Sequence, residues 1–262
     1  HMGGRGDLRG SLPLRHALSM ITAWVPAVGR MVGRGSAPVT YALIVACCLI
    51  FLISPGSGLN PSYGTGDELI AAQRAYFERW GVVPVELLSG KPRAALTAVT
   101  ALFVHGSWLH LLGNMLFLYV FGVMVEERMG HLQYALFYLG CGSLALLAYA
   151  IAHADSGQTL VGASGAISAA LGAFLYLFPK ARVTSLFPFL FFLPLRFPAW
   201  VVLPFWVALQ WAAAGQERQG PGVAYLAHLV GFSLGFVYAW GRRQGPSRVK
   251  ASGTATEGDS QP

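Results

Sequence analysis

Charge is the scarcest property of this 262-residue chain: Asp, Glu, Lys and Arg together supply 11% of it, against 55% hydrophobic residues. Soluble domains carry about a quarter of their residues as charges, so an ordinary water-soluble globule is excluded and an integral membrane protein is expected. Acids are scarcer than bases, 11 against 18, for a net charge of +7. That excess does not signal a nucleic-acid binder, because the basic residues flank apolar runs instead of gathering with aromatics in one patch. Cysteine is nearly absent, with Cys47 and Cys48 adjacent in one apolar run and Cys141 in another. A secreted disulfide framework is thereby excluded, and no metal-ligand spacing is formed; neither a metal nor another cofactor is expected. No repeat of about 20 to 50 residues is visible, nor an inverted pair of broken helices such as many transporters carry. His1-Met2 reads as a cloning scar, and nothing after it resembles a cleavable secretory signal.

What the chain has is a series of apolar runs. The first extends from about Val39 to Ser54 and is stopped by Pro55-Gly56-Ser57-Gly58. Residues 55 to 104 form a long connection with structure of its own. It includes an amphipathic segment, Asp67 to Trp80, which Asp67 is placed to cap, and a piece from Ala94 to Val104 that dips into the membrane interface. Further spans follow at Trp108 to Val125, Leu132 to Ala152 and Leu160 to Phe178. Phe187 to Pro198 is apolar but interrupted by Pro188, Pro194 and Pro198, which favours an interfacial loop over a helix. Spans five and six run from about Ala199 to Ala214 and from Val223 to Trp240. The expected fold is all-α, a polytopic bundle of six transmembrane helices. Six spans put both termini on one side. If that side is the cytoplasm, most of the Arg and Lys residues lie there, from Arg5 to Arg34, then Arg128, Lys180 and Arg182, then Arg242 and Arg243. The expected organisation is a basic cytoplasmic segment over 1–36, a six-helix domain over 37–243 and a disordered cytoplasmic tail over 244–262. An interfacial helix or disorder suits the weakly amphipathic piece around Leu14 to Val28.

Polar residues inside a bilayer are costly, so the few present are functional candidates. Span two opens with His110 and Asn114, with His105 just before it; span four carries Ser164 and span six carries His228. At ~1.5 Å of rise per residue, Asn114, Ser164 and His228 fall roughly 5 to 12 Å below the outer surface. Packing residues chosen independently have no reason to agree in depth. His110 and Asn114, four residues apart, share a helix face. Ser164 lies between Gly162 and Gly165, and small residues also let membrane helices pack closely, so packing and chemistry compete as explanations of the serine. Ala227, Gly231 and Gly235 repeat every four residues and give span six a flat stripe. A serine, two histidines and an amide can perform nucleophilic acyl transfer. The chain has no HExxH motif and no two acids within apolar spans, so zinc-dependent and aspartyl intramembrane proteolysis lack their essential groups.

Three motifs, His105-Gly106-Ser107-Trp108-Leu109-His110-Leu111-Leu112-Gly113-Asn114, Gly162-Ala163-Ser164-Gly165 and Ala227-His228-Leu229-Val230-Gly231, occur in this order on spans two, four and six. In this the chain resembles the rhomboid intramembrane serine proteases over roughly residues 37 to 243. The resemblance implies Ser164 as nucleophile, His228 as general base, and an oxyanion hole from Asn114, His110 and the backbone N–H of Ser164. It further implies a structural role for His105 and a structural pair of Glu126 with Arg128. Transmembrane protein substrates and the lipid bilayer are the implied partners, and a bacterial cytoplasmic membrane the expected location, with a mitochondrial transit reading open for the Arg-rich N-terminus. Nothing in the sequence specifies an oligomeric state. Two positions depart from the family pattern. Leu96-Thr97 stands roughly where many members carry Trp-Arg, and Ser168 stands where some carry a tyrosine against the catalytic imidazole. Two other classes compete: a non-catalytic membrane binder of the same superfamily, and a small transporter whose His, Asn and Ser residues line a path.

Overall fold

The structure is a computed structural model and describes residues 36–187, 193–214 and 224–243. The segment around Leu14 to Val28, the turn from Gly215 to Gly222 and the tail from Gln244 lie outside the described residues.

The first helix, α1 (Pro38–Ile53), begins with proline at its first turn, where a missing N–H costs nothing. Ala37 before it provides no side-chain cap. The cap comes from far along the chain, where Glu126 accepts hydrogen bonds from the Val39 and Thr40 amides at 2.9 and 2.7 Å and from the Thr40 hydroxyl at 2.7 Å. Between Ser54 and Val104 the chain folds into α2 (Asp67–Trp80), the single turn α3 (Pro84–Leu87), α4 (Pro92–Thr100) and short 3₁₀ turns. The amphipathic segment therefore lies where its pattern predicts, but Asp67 does not cap it. Gly66, at φ +58°, holds the cap position, and Asp67 is already helical. The piece expected to dip into the interface is helical over α4 and continues as a 3₁₀ turn, Ala101–Phe103.

A long helix then runs from Trp108 to Met129, as α5 (Trp108–Phe117), a wide π-helical turn (Leu118–Gly122) and α6 (Val123–Met129). Gly122 is needed there, since a Cβ would stand 2.6 Å from the Tyr134 hydroxyl oxygen. After α7 (His131–Ala152) the chain enters α8 (Ser164–Leu177). The expectation of a helix from Leu160 fails by four residues. Leu160 exchanges two backbone hydrogen bonds with Val82, at 2.7 and 2.8 Å, and Gly162 donates to the Ala101 carbonyl at 2.8 Å with φ +124°. That conformation is not helical and suits glycine. Extended chain, not helical rise, therefore carries the backbone to Ser164.

Of the loop expected from Phe187 to Pro198, residues 188–192 lie outside the described residues; the rest is the strand β2 (Leu193–Pro198), paired antiparallel with β1 (Arg182–Phe187) in register from Arg182 opposite Pro198 to Phe187 opposite Leu193. Proline excludes a helix or a central strand, but a two-stranded ribbon has only edges and accepts it. The helices α9 (Ala199–Ala214) and α10 (Tyr225–Arg243) complete the fold.

Helices thus occupy all six positions read from the sequence. Among the described residues two helices, Trp108–Met129 and His131–Ala152, are long and apolar enough to cross a membrane. Large apolar side chains stand outward on several helices, among them Leu109 at 84%, Leu132 at 75% and Trp211 at 73% exposure. Water would penalise such a surface, whereas lipid tails accept it. The centre is α8, buried on every side from Gly165 to Phe174.

Candidate active site

The depth of α8 in the bundle follows from its small residues. A Cβ on Gly172 would run into the Phe232 carbonyl oxygen, one on Gly231 into that of Gly165, and one on Gly235 into that of Ala169. The backbones of α8 and α10 therefore touch along about two turns, and Gly165 also faces Ala145 of α7. The stripe of Ala227, Gly231 and Gly235 lies along this contact. Its result is that Ser164 Oγ lies 2.9 Å from His228 Nε2.

The far ring nitrogen, His228 Nδ1, lies 2.7 Å from Gln210 Oε1; a proton on Nδ1 satisfies that acceptor and leaves Nε2 to accept from the Ser164 hydroxyl. The ring is also covered by Trp206, near-parallel at 6.2 Å, and met edge-on by Tyr225 at 6.2 Å. Ser168 makes no such contact; its hydroxyl donates back to the Ser164 carbonyl at 2.7 Å.

Gly162 organises the opposite wall. A Cβ there would lie 2.7 Å from both Cε1 and Nε2 of His110 and 3.6 Å from Asn114 Nδ2. Two separate sequence signals, a glycine before the serine and an i, i+4 pair on α5, thus meet. His110 Nδ1 accepts from the Gly106 amide at 3.3 Å, which leaves the ring proton on Nε2, toward Gly162. Asn114 Nδ2 is buried without a hydrogen-bond partner among the described residues. Ser164 is the first residue of α8, so its N–H belongs to the turn whose donors find no intrahelical acceptor. His110 and Asn114 thus border Gly162, just before the serine whose hydroxyl is bonded to His228. His105 is buried behind them, its ring edge-on to His110 at 5.1 Å.

Glu126 and Arg128 stand apart from this cluster and from each other. The Glu126 carboxylate is fully buried and occupied by α1 and by His131 Nδ1 at 2.7 Å, whereas Arg128 is exposed. Residues two apart on a helix point to different faces, which is why the expected pair does not form. Gln210, Trp206 and the Thr40 and His131 partners of Glu126 were not among the residues the sequence singled out. Only the i, i+4 spacing of Trp206 and Gln210 hinted at a shared face.

An apolar cavity of about 700 Å³ lies on the side of α5 and α9, lined by Leu116, Phe117, Val201, Phe205, Trp206 and Leu209 among others. Among the described residues no group of three or more His, Cys, Asp or Glu side chains is placed to hold a metal ion.

Comparison with known proteins identifies the family. The family model "Rhomboid domain" matches residues 92–245. Rhomboid protein 1, mitochondrial, of Saccharomyces cerevisiae is 34% identical over 149 residues, covering 55% of this chain and 41% of that protein. Rhomboid-like protein 11, chloroplastic, of Arabidopsis thaliana is 38% identical over 93 residues, 35% of this chain and 32% of its own. RHOMBOID-like protein 6, mitochondrial, of the same plant is 28% identical over 151 residues, 53% and 42% of the two chains. The chain spans less than half the length of these curated relatives. With the family model covering more than half of the sequence, the chain belongs to the rhomboid family and is a membrane protein.

Proposed function

We propose that this protein is an intramembrane serine protease that hydrolyses peptide bonds in or near the transmembrane segments of other membrane proteins. The observation that carries the reading is the Ser164 to His228 hydrogen bond, 2.9 Å long, with the Asn114 and His110 side chains bordering Gly162 just before the serine. In this reading Ser164 Oγ attacks the scissile carbonyl carbon while its proton passes to His228 Nε2. The charge on the carbonyl oxygen is met by the Asn114 amide, His110 and the Ser164 N–H. The imidazolium then gives its proton to the departing amine, leaving an ester on Ser164. Water, deprotonated by the same nitrogen, hydrolyses that ester and restores the serine.

The domain proposed for this work is 37–243, with all six helices crossing the bilayer and the segments 1–36 and 244–262 on the cytoplasmic side. The distribution of arginine and lysine supports that orientation. A helical substrate hides its carbonyls in hydrogen bonds and must unwind locally to be cut. The apolar cavity between α5 and α9 offers such a segment a lipid-like surface next to the site. The proposed location is a bacterial cytoplasmic membrane; a mitochondrial or chloroplast membrane is the alternative raised by the relatives' names, and cell fractionation distinguishes them.

A fluorophosphonate probe tests the reading. Wild type is expected to be labelled, and Ser164→Ala is not. His228→Ala is expected to remain folded and lose cleavage of a model transmembrane substrate. Folded wild-type protein that takes no label, or a His228→Ala variant that turns over normally, overturns it.

A further inference from the structure

We propose that Gln210 is the positioning residue for the base: its Oε1 holds His228 in the Nδ1–H tautomer, so that α9 controls whether the serine can be deprotonated. The proposal rests on the Ser164 and His228 reading above. An imidazole whose Nδ1 lacks an acceptor divides between two neutral tautomers, and the one protonated on Nε2 cannot take the Ser164 proton. The 2.7 Å contact to Gln210 Oε1 selects the other. When His228 becomes imidazolium the same Nδ1–H remains bonded, so the ring has no reason to turn between the two proton transfers.

Placement supports this role. Gln210 lies one turn after Trp206 on α9, and the two side chains reach the same ring, one at its nitrogen and one over its face. On α8, the Ser168 hydroxyl is occupied by the Ser164 carbonyl, so the side chains that reach the ring from outside α8 and α10 come from α9. The groups facing His228 are Ser164 from α8, Gln210 and Trp206 from α9, Tyr225 from α10 and His110 from α5; the titratable ones are His110 and Tyr225.

Two substitutions in the full chain, assayed on a model transmembrane substrate, test the assignment. Gln210→Met keeps length and helix propensity but removes the strong acceptor; it should lower kcat about 10²-fold, with KM within about 3-fold and Tm unchanged. Gln210→Glu restores an acceptor and should recover most of that kcat. Its negative charge favours the imidazolium, so a higher pH is needed to free the base, and the rising limb of the kcat against pH profile should move upward. A Gln210→Met enzyme with wild-type kcat overturns the proposal. So does a Gln210→Glu enzyme as slow as Gln210→Met with an unmoved profile, because packing alone then explains the loss. Failure of the underlying protease reading looks different: wild type itself is neither labelled at Ser164 nor active.

Discussion

Against α8, α10 packs backbone to backbone, with Gly172, Gly231 and Gly235 each facing a carbonyl oxygen that leaves no room for a Cβ. Against α9 it packs through side chains, and at the His228 ring those are Trp206 and Gln210. The first contact is stiff because it has no rotamers to change; the second can be remade whenever a side chain turns. Distance and orientation are thus assigned to different neighbours. The α8 contact fixes how far His228 lies from Ser164, and α9 fixes which way its ring and protons face.

The comparison can be broken at its stiff side first. Gly235→Ala places a methyl group against the Ala169 carbonyl, and neither backbone can yield, so a loss of about 3 kcal/mol is expected. Stability measured by thermal unfolding and cleavage should fall together; a stable, active variant would show that the helices can slide. Asn114→Ala touches neither contact and calibrates a purely chemical loss. Cleavage should slow by about 10²-fold or less with Tm unchanged, and an unaltered rate would remove Asn114 from the oxyanion hole. Trp206→Ala, on the adjustable side, should reduce kcat about 10-fold while leaving Tm nearly as it was. A large Tm drop there would make α9 a structural neighbour like α8 and erase the distinction.

Much of this was readable in the sequence, for reasons that differ by residue. Ser164, His228, His110 and Asn114 stand out because polar groups are rare in apolar runs, and geometry brings them together in two facing sets. The limits of α2, α7 and α9 lie within a residue of the readings because prolines, glycines and polar turns bound them. The start of α8 was hidden, since Gly162 is equally at home in a packing stripe and at a positive φ, and only the partners Val82 and Ala101 decide between them. Gln210 was hidden because an amide near the end of a membrane helix is unremarkable until its partner is known. The Glu126 contacts were hidden by distance, its Thr40 partner lying 86 residues away.

The wide turn at Leu118–Gly122 bears on that last case. An unbroken α-helix transmits its phase, so the face chosen for His110 and Asn114 would dictate the face of every residue below. An extra residue in a π-helical turn sets the lower part back by roughly 100°. The helix Trp108–Met129 therefore behaves as two keys cut on one shaft, one half aiming His110 and Asn114 at Gly162 and the other locking Glu126 onto α1, and either half can change its sequence without re-aiming the other.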